Sequence, residues 1–303
     1  MRIAMVSPYD WNVHGGVNGH IRHLAAAFRA WGHEVTIFAP ASDPAKVAGE
    51  CVVMGRPYGV RVSGSVARIT FSWSSPAVKK VMAQNRFDVV HLHEPLMPLL
   101  PYHFLRYSRA VNVGTFHAAN DRGLRLYGYT RPLTRRWFRK IDGKIAVSPA
   151  ATSLVSRYFA GYWNIIPNGI DYEHWARPRE RLPEFDDGRF NILFVGRPEK
   201  RKGLKYLLRA YLRLRQKRQD MRLIVIGAGD FSRYQRLMEP FPDVVFRQNL
   251  PYDELPRYHH TSHLFVCPNT GNESQGYVLM EALAAGLPVV ASNIEGFAGV
   301  VAH

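Results

Sequence analysis

Short apolar runs recur along the chain at intervals that suit strands, and most are followed by a stretch with helical spacing. In the first 170 residues the runs are RIAMVSP, HEVTIFAP, ARITF, DVVHLHE, AVNVGTFH, KIAVS and NIIPNG. They are short, rich in β-branched residues and bounded by polar or turn-forming residues, which predicts strands of a parallel sheet covered on both faces. Between the first two, Ile21, Leu24, Ala25 and Phe28 recur at helical spacing and Gly32 closes the helix. That is a βαβ unit, with Gly15 and Gly16 at its first turn. The segment DYEHWARPRERLPEFDDGR, residues 171–189, breaks this pattern with prolines and dense charge. Afterwards the pattern restarts as FNILFVGR, MRLIVIGAG, VVFRQN, HLFVCP and LPVVAS. The expectation is an α/β chain of two doubly wound, Rossmann-like domains, residues 1–170 and 171–303, with ligand crevices facing one another across a cleft. Only GFAGVVAH follows the last strand, so the second domain is expected to be incomplete at its C-terminal end.

Composition narrows the class. The 303 residues are 47% hydrophobic and 12% aromatic, enough for two real cores. No apolar run approaches the ~18 residues of a spanning helix, and the start lacks a secretory pattern, so a cytoplasmic protein is expected. Cys51 and Cys267 stand far apart in apolar surroundings, as reduced thiols would. Forty basic against twenty-four acidic residues give a net charge of +16, which attracts nucleic acid, anionic lipid or phosphorylated ligands. The basic residues fall in loops and on a helix back, and no RNA-recognition, zinc-finger or helix-turn-helix pattern accompanies them. No specific nucleic-acid partner is expected; a basic nucleic-acid-binding protein remains the alternative from another class.

Three stretches carry candidate chemistry. In NESQGYVLMEALAAG, residues 272–286, a helix is predicted from about Gly276 to Gly286. Its first amides form a prepared anion site, and Gly276 lets a ligand approach the backbone. A carboxylate would repel phosphate, so Glu273 and Glu281 suit neutral hydroxyls on either side of it, Glu281 about two turns, or roughly 8 Å, into the helix. The plainer alternative is an N-terminal acidic residue and a half-exposed glutamate. In LFVGRPEKRKG a strand runs into Arg197, Lys200, Arg201 and Lys202. Cations at a strand's carboxyl end sit where doubly wound folds bind ligands, and Arg197 and Lys202 could hold a diphosphate. Lys205, Arg209, Arg213 and Lys217 make a further stripe, read as either a solvated face or a binding surface. In GTFHAAND, His117 ends a strand and is either structural or catalytic, while HLHEP, with His91, His93 and Glu94, lacks a third ligand at metal-site spacing.

Taken in order, GGVNGHIRHL, HLHEP, GTFHA, IPNGID, FVGRPEKRKG, IGAG and NESQGYVLMEALAAGLPVVAS resemble the family 4 retaining glycosyltransferases of the GT-B fold. Within it, MVSPYDWNVHGGV, GSVARITF and NESQGYVLMEALAAG look most like the phosphatidylinositol mannosyltransferases. The resemblance implies a hexosyltransferase using GDP-mannose or another nucleotide sugar, without a tightly bound cofactor or a metal, on a lipid or glycan acceptor at the inner face of the plasma membrane. A UDP-sugar donor with another acceptor, or an inactive fragment, is the alternative. The resemblance further implies that Gly15 and Gly16 meet the diphosphate through the backbone and Arg197 and Lys202 by side chain. Ser274, Gly276, Tyr277 and Val278 would complete the donor site, Glu281 would take the ribose hydroxyls, and Glu273 and His117 would face the donor sugar. Departures include Gln275, where similar sequences have Phe. At the acceptor side Asn18, Val62 and Ser63 differ from the Gln and the Tyr-Asn pair of an inositol-lipid enzyme, which leaves the acceptor open.

Two segments suit an anionic membrane surface. SSPAVKKVMAQNRF carries Lys79, Lys80 and Arg86 beside Val78, Val81 and Met82, an interfacial helix or an ordinary sheet-covering one. RPLTRRWFRKIDGK sets Arg131, Arg135, Arg136, Arg139 and Lys140 around Trp137 and Phe138, a composition that suits headgroups.

Overall fold

The computed structural model describes residues 1–62, 65–70, 75–97, 99–120 and 123–301, the side chains of 61, 62, 65–67, 125, 126 and 133 excepted. Ser63, Phe71 and Ser74, and the side chain of Val62, lie outside the described residues. The chain divides into two compact units, Met1–Gly169 and Ile170–His303.

The first unit runs β1 (Arg2–Val6), α1 (Gly16–Ala30), β2 (Glu34–Ala39), β3 (Val52–Val53), β4 (Pro57–Val62), β5 (Ser65–Thr70), α2 (Ser75–Gln84), β6 (Val89–His93), α3 (Leu100–Tyr107), β7 (Val111–Phe116), α4 (Arg125–Phe138), β8 (Gly143–Ala146), α5 (Pro149–Ser156) and β9 (Asn164–Ile165). Its parallel sheet has the order β3-β2-β1-β6-β7-β8-β9 and reverses direction of winding between β1 and β6. Successive residues of β1 enter different cores. Ala4 and Val6 pack with Val90, Leu92 and Phe116, whereas Ile3 and Met5 pack with Ile21, Val35 and Ile37. A sheet buried on both faces needs apolar residues at every position, which is why its strands read as unbroken runs.

ARITF is a correction to the parallel pattern. It is β5, paired antiparallel with β4 in a separate two-stranded sheet. Two residues join the pair, far fewer than the dozen or more that a parallel crossover needs.

The second unit runs α6 (Tyr172–Ala176), β10 (Phe190–Val195), α7 (Leu204–Arg215), β11 (Met221–Gly227), α8 (Ser232–Met238), β12 (Val244–Gln248), α9 (Leu255–Thr261), β13 (Leu264–Cys267), α10 (Tyr277–Ala284), β14 (Val289–Ala291) and α11 (Glu295–Ala298). Its parallel sheet has the order β12-β11-β10-β13-β14, reversing between β10 and β13. Leu193, Ile224 and Ile226 face one core, and Ile192, Phe194, Leu223 and Val225 the other. In α7, Leu204, Leu207, Leu208 and Tyr211 are buried while Lys205, Arg209 and Arg213 are exposed, which places the basic stripe on the face away from the core.

The two membrane-facing expectations lose their apolar half. Val78 is fully buried, Val81 and Met82 pack against the first unit's core, and so do Trp137 and Phe138. The basic residues Lys79, Lys80, Arg86, Arg131, Arg135, Arg136 and Arg139 remain exposed. No helix of the described residues is long and apolar enough to cross a membrane.

Candidate active site

In the second unit the loops that leave β10 and β13 flank the strand-order reversal, the position where open α/β sheets bind ligands. After β10 the chain makes a short turn over Lys200–Lys202 and enters α7 through Gly203, at φ +73°. A Cβ at Gly203 would stand 1.8 Å from the carbonyl oxygen of Pro268, so only glycine allows the two loops to touch by backbone. The Thr270 amide donates to the Arg201 carbonyl at 2.8 Å, a second tie between the same loops.

This turn sorts the four cations. Arg201 and Lys202 point inward and both donate to Glu273 Oε1, which also accepts from Asn269 Nδ2 at 2.9 Å. Arg197 and Lys200 are exposed. Glu199 joins Arg197 to the inner group: its Oε1 lies 3.1 Å from Arg197 Nη2, and its Oε2 accepts from Arg201 Nε at 2.8 Å. The result is an alternating chain Arg197, Glu199, Arg201, Glu273, Lys202. Burial pushes the Glu273 carboxyl up, but Lys202 and Arg201 outweigh it and hold it below its ordinary value. Of the sequence candidates, Lys202 and Glu273 are thus in direct contact, and Arg197 is linked to Glu273 through Glu199 and Arg201.

Glu273 also precedes the start of α10. Gly276, at φ +77°, is the N-cap of α10 and, being glycine, offers no side-chain cap of its own. Ser274 is half-buried in the preceding loop, and Tyr277 and Val278 open the helix. Val278 packs its side chain on the core. Glu281 lies four residues past Tyr277, just over one turn into the helix rather than the two expected. It is buried, not half-exposed, and burial pushes its pKa up to about 7. Tyr252 and Tyr277 lie near enough for its charge to raise their pKa beyond the effect of burial.

The first unit supplies a second group of residues, also at strand ends. Gly15 is the N-cap of α1, with extended backbone at φ −163° and nothing within 4 Å of an added Cβ. Folding alone therefore does not require glycine there. Gly16 opens the helix. Asn18 is buried, taking a hydrogen bond from Ser7 and donating to the carbonyls of Asp10 and Val13, so its amide is used within the fold.

His117 follows β7. Its amide and that of Ala118 donate to Glu94 Oε1 at 2.7 and 2.6 Å, and Tyr127 donates to Oε2 at 3.3 Å. Glu94, at φ +51°, follows β6 and is buried. Burial raises its pKa against the lowering effect of those donors. His93 Nδ1 lies 3.1 Å from His117 Nε2, and His91 Nε2 lies 2.7 Å from Thr115 Oγ1. His91 stacks on His93 with centroids 4.4 Å apart, and His20 from α1 stands edge-on to both His93 and His117. Burial lowers all four histidines, His20 to about 4 and His91 to about 3, with His93 and His117 well below the ordinary value.

The third imidazole that HLHEP lacks is therefore present in space. His20, His93 and His117 bring three ring nitrogens within 4.8 Å of one another. Ligands about 2.0 Å from a tetrahedral zinc ion stand ~3.3 Å apart, so a cation would require the rings to draw in and the His93–His117 contact to be given up.

Reading the sequence alone overlooked Arg201, Glu199, Asn269, His93 and Glu94 as members of these groups. Arg201 stood in a run of cations whose spacing does not say which turn inward. His93 and Glu94 needed the β6–β7 pairing, in which His91 lies beside Val113 and His93 beside Thr115.

Comparison with known proteins identifies the family. Residues 14–174 match the model of Glycosyltransferase Family 4, and residues 179–303 that of Glycosyl transferases group 1. A phosphatidyl-myo-inositol mannosyltransferase of Mycobacterium tuberculosis is 36% identical over 99% of this chain and 80% of its own length. One from Propionibacterium freudenreichii is 34% identical over 99% and 79%. A D-inositol 3-phosphate glycosyltransferase from an Arthrobacter species is 30% identical over 95% and 76%. Among solved structures, Anabaena HepE in complex with UDP and glucose superposes with a TM-score of 0.74 at 18% identity, covering 100% of this chain and 83% of that one. A Thermosynechococcus elongatus sucrose-phosphate synthase gives 0.73 at 20%, covering 97% and 82%.

Proposed function

The chain belongs to glycosyltransferase family 4 and is a hexosyltransferase of the GT-B fold, and on that premise we propose that it carries mannose from GDP-mannose, with retention, to an inositol-bearing lipid at an anionic membrane surface. The observation that carries the reading is the placement of Lys202, Arg201 and Glu273 at the carboxyl ends of β10 and β13, beside the N-terminus of α10. A pyrophosphate brought there meets cations and helix amides at one end of its charge and a carboxylate, suited to hydroxyls, next to it.

In this reading Lys202 leaves Glu273 for the phosphate oxygens, Arg197 adds its fork from the exposed side, and Gly15, Gly16, Ser274, Gly276, Tyr277 and Val278 contribute backbone contacts. Arg201 stays on Glu273 and keeps it ionised. Glu273 and His117 face the donor sugar, and Glu281, buried beside Tyr252 and Tyr277, accepts the ribose hydroxyls. As the bond from the anomeric carbon to the diphosphate breaks, charge grows on the leaving phosphate. Each preorganised donor to a growing oxyanion contributes about 2.7–4 kcal/mol. Because Val78, Val81 and Met82 of α2 and Trp137 and Phe138 of α4 pack on the core, attachment to lipid works mainly by charge, through the exposed Arg and Lys.

The donor is tested by thermal shift with GDP-mannose, UDP-glucose and a UDP-amino sugar. A ligand at 100 times its dissociation constant stabilises by about 2.7 kcal/mol. GDP-mannose alone should do so; preference for a UDP sugar replaces the donor assignment, and no response to any removes it. The 30% identical relative supports a second acceptor, D-inositol 3-phosphate. Transfer of labelled mannose to phosphatidylinositol vesicles and to that soluble phosphate, side by side, decides between them.

A further inference from the structure

His93 has no part in the function proposed above, yet it is buried and its ring lies against His117. We infer that His93 is a positioning residue: its Nδ1 proton is donated to His117 Nε2, which fixes His117 as the Nδ1–H tautomer and makes it a hydrogen-bond donor toward its ligand. The inference rests on the reading that His117 faces the donor sugar.

The tautomer follows from where protons can go. Only one proton fits between two nitrogens 3.1 Å apart. If His117 supplied it, neutral His93 would carry its own proton on Nε2. That atom is buried without a hydrogen-bond partner among the described residues. Buried N–H groups without an acceptor are rarer and costlier than acceptors short of a donor. The proton therefore sits on His93 Nδ1, leaving a bare lone pair at Nε2 and placing the His117 proton on Nδ1. Burial lowers the pKa of both rings, so neither gains a second proton that would blur the choice.

Other contacts make the arrangement rigid. His93 is flanked by His91, itself held by Thr115, at a centroid distance of 4.4 Å. Glu94, the next residue, takes the amides of His117 and Ala118. Consecutive residues of β6 and the turn after it thus hold both parts of His117, His93 its ring and Glu94 its backbone.

The test uses His93→Asn, whose side-chain amide can place a donor where Nδ1 was, and His93→Leu, which cannot. Two-bond nitrogen–proton spectra of the labelled imidazoles report the His117 tautomer without any substrate. The Nδ1–H form is expected in the natural protein and in His93→Asn, and a mixture in His93→Leu. An Nε2–H form in the natural protein, or no change in His93→Leu, overturns the inference. Turnover of GDP-mannose is then measured in a cycle with His117→Ala. His93→Leu is expected to lose at least tenfold in kcat, His93→Asn less than threefold, and His93→Leu with His117→Ala no more than His117→Ala alone. Additive losses would show that His93 acts by another route, and the inference falls. Full turnover in His117→Ala removes the donor-site reading instead, and the spectra still decide the tautomer.

Discussion

Replacing Glu273 by Gln removes the one negative charge that Arg201 and Lys202 share. All three side chains are largely withdrawn from solvent, at 16%, 15% and 11% exposure for Arg201, Lys202 and Glu273. Removing one partner of a buried ion pair costs about 3–5 kcal/mol, because the other charge is left uncompensated. The Gln amide oxygen still accepts a hydrogen bond and recovers about 1 kcal/mol. The substitution should therefore destabilise the second unit by about 2–4 kcal/mol. Urea unfolding gives the total, and hydrogen exchange of peptides from β10 and β13 reads this unit alone. Added salt should change the difference little, since the pair is buried. The freed cations have a second consequence: GDP no longer competes with the carboxylate, so its affinity should rise about tenfold while turnover falls. A Glu273→Gln protein with stability within 0.5 kcal/mol of the natural one and unchanged GDP affinity would refute both steps.

Lys202→Ala leaves Glu273 its contact with Arg201, so folding should hold while turnover drops about 100- to 1000-fold; unaltered turnover excludes Lys202 from the reaction. Gly203→Ala should destabilise by about 2–5 kcal/mol, combining the left-handed backbone with a Cβ 1.8 Å from the Pro268 carbonyl, and an unchanged melting temperature would contradict the contact. Acid should weaken the first unit. His20 and His91 are lowered to about 4 and about 3, so below the unfolded value of about 6.5 the unfolded chain binds more protons. Their contribution is complete above about pH 6.5 and is lost as pH falls through the folded values, His20 alone accounting for about 3 kcal/mol. Stability that stays flat from pH 6.5 to 4.5 rules this out.

Most of both sheets was legible because parallel strands covered on two faces must be apolar throughout, as Ile192 to Val195 are. The two-residue β3 leaves no periodic trace, and β4 carries Pro57 and Gly59, which disguise a hairpin strand. Candidate residues tied to one local motif, such as Lys202 beside Gly203 or Glu273 ahead of α10, could be named from spacing. Those whose role depends on a neighbouring strand could not: nothing local links His93 to His117, 24 positions away. The apolar side of α2 looked the same whether it faced lipid or core, and only packing against Val78, Val81 and Met82 separates the two.

The contact of Gly203 with Pro268 has a counterpart at Gly296, where an added Cβ would stand 1.9 Å from the Glu273 carbonyl oxygen. Main chain rests on main chain at both places, so the segments bearing Arg201, Lys202 and Glu273 keep their spacing whatever side chains surround them. A lineage descending from this protein could exchange nearly every neighbour and retain the cluster. Mutation of either glycine, by contrast, would have to be matched at once by a shift in the opposing loop, an unlikely double event that makes these two plain positions harder to change than the charged ones they support.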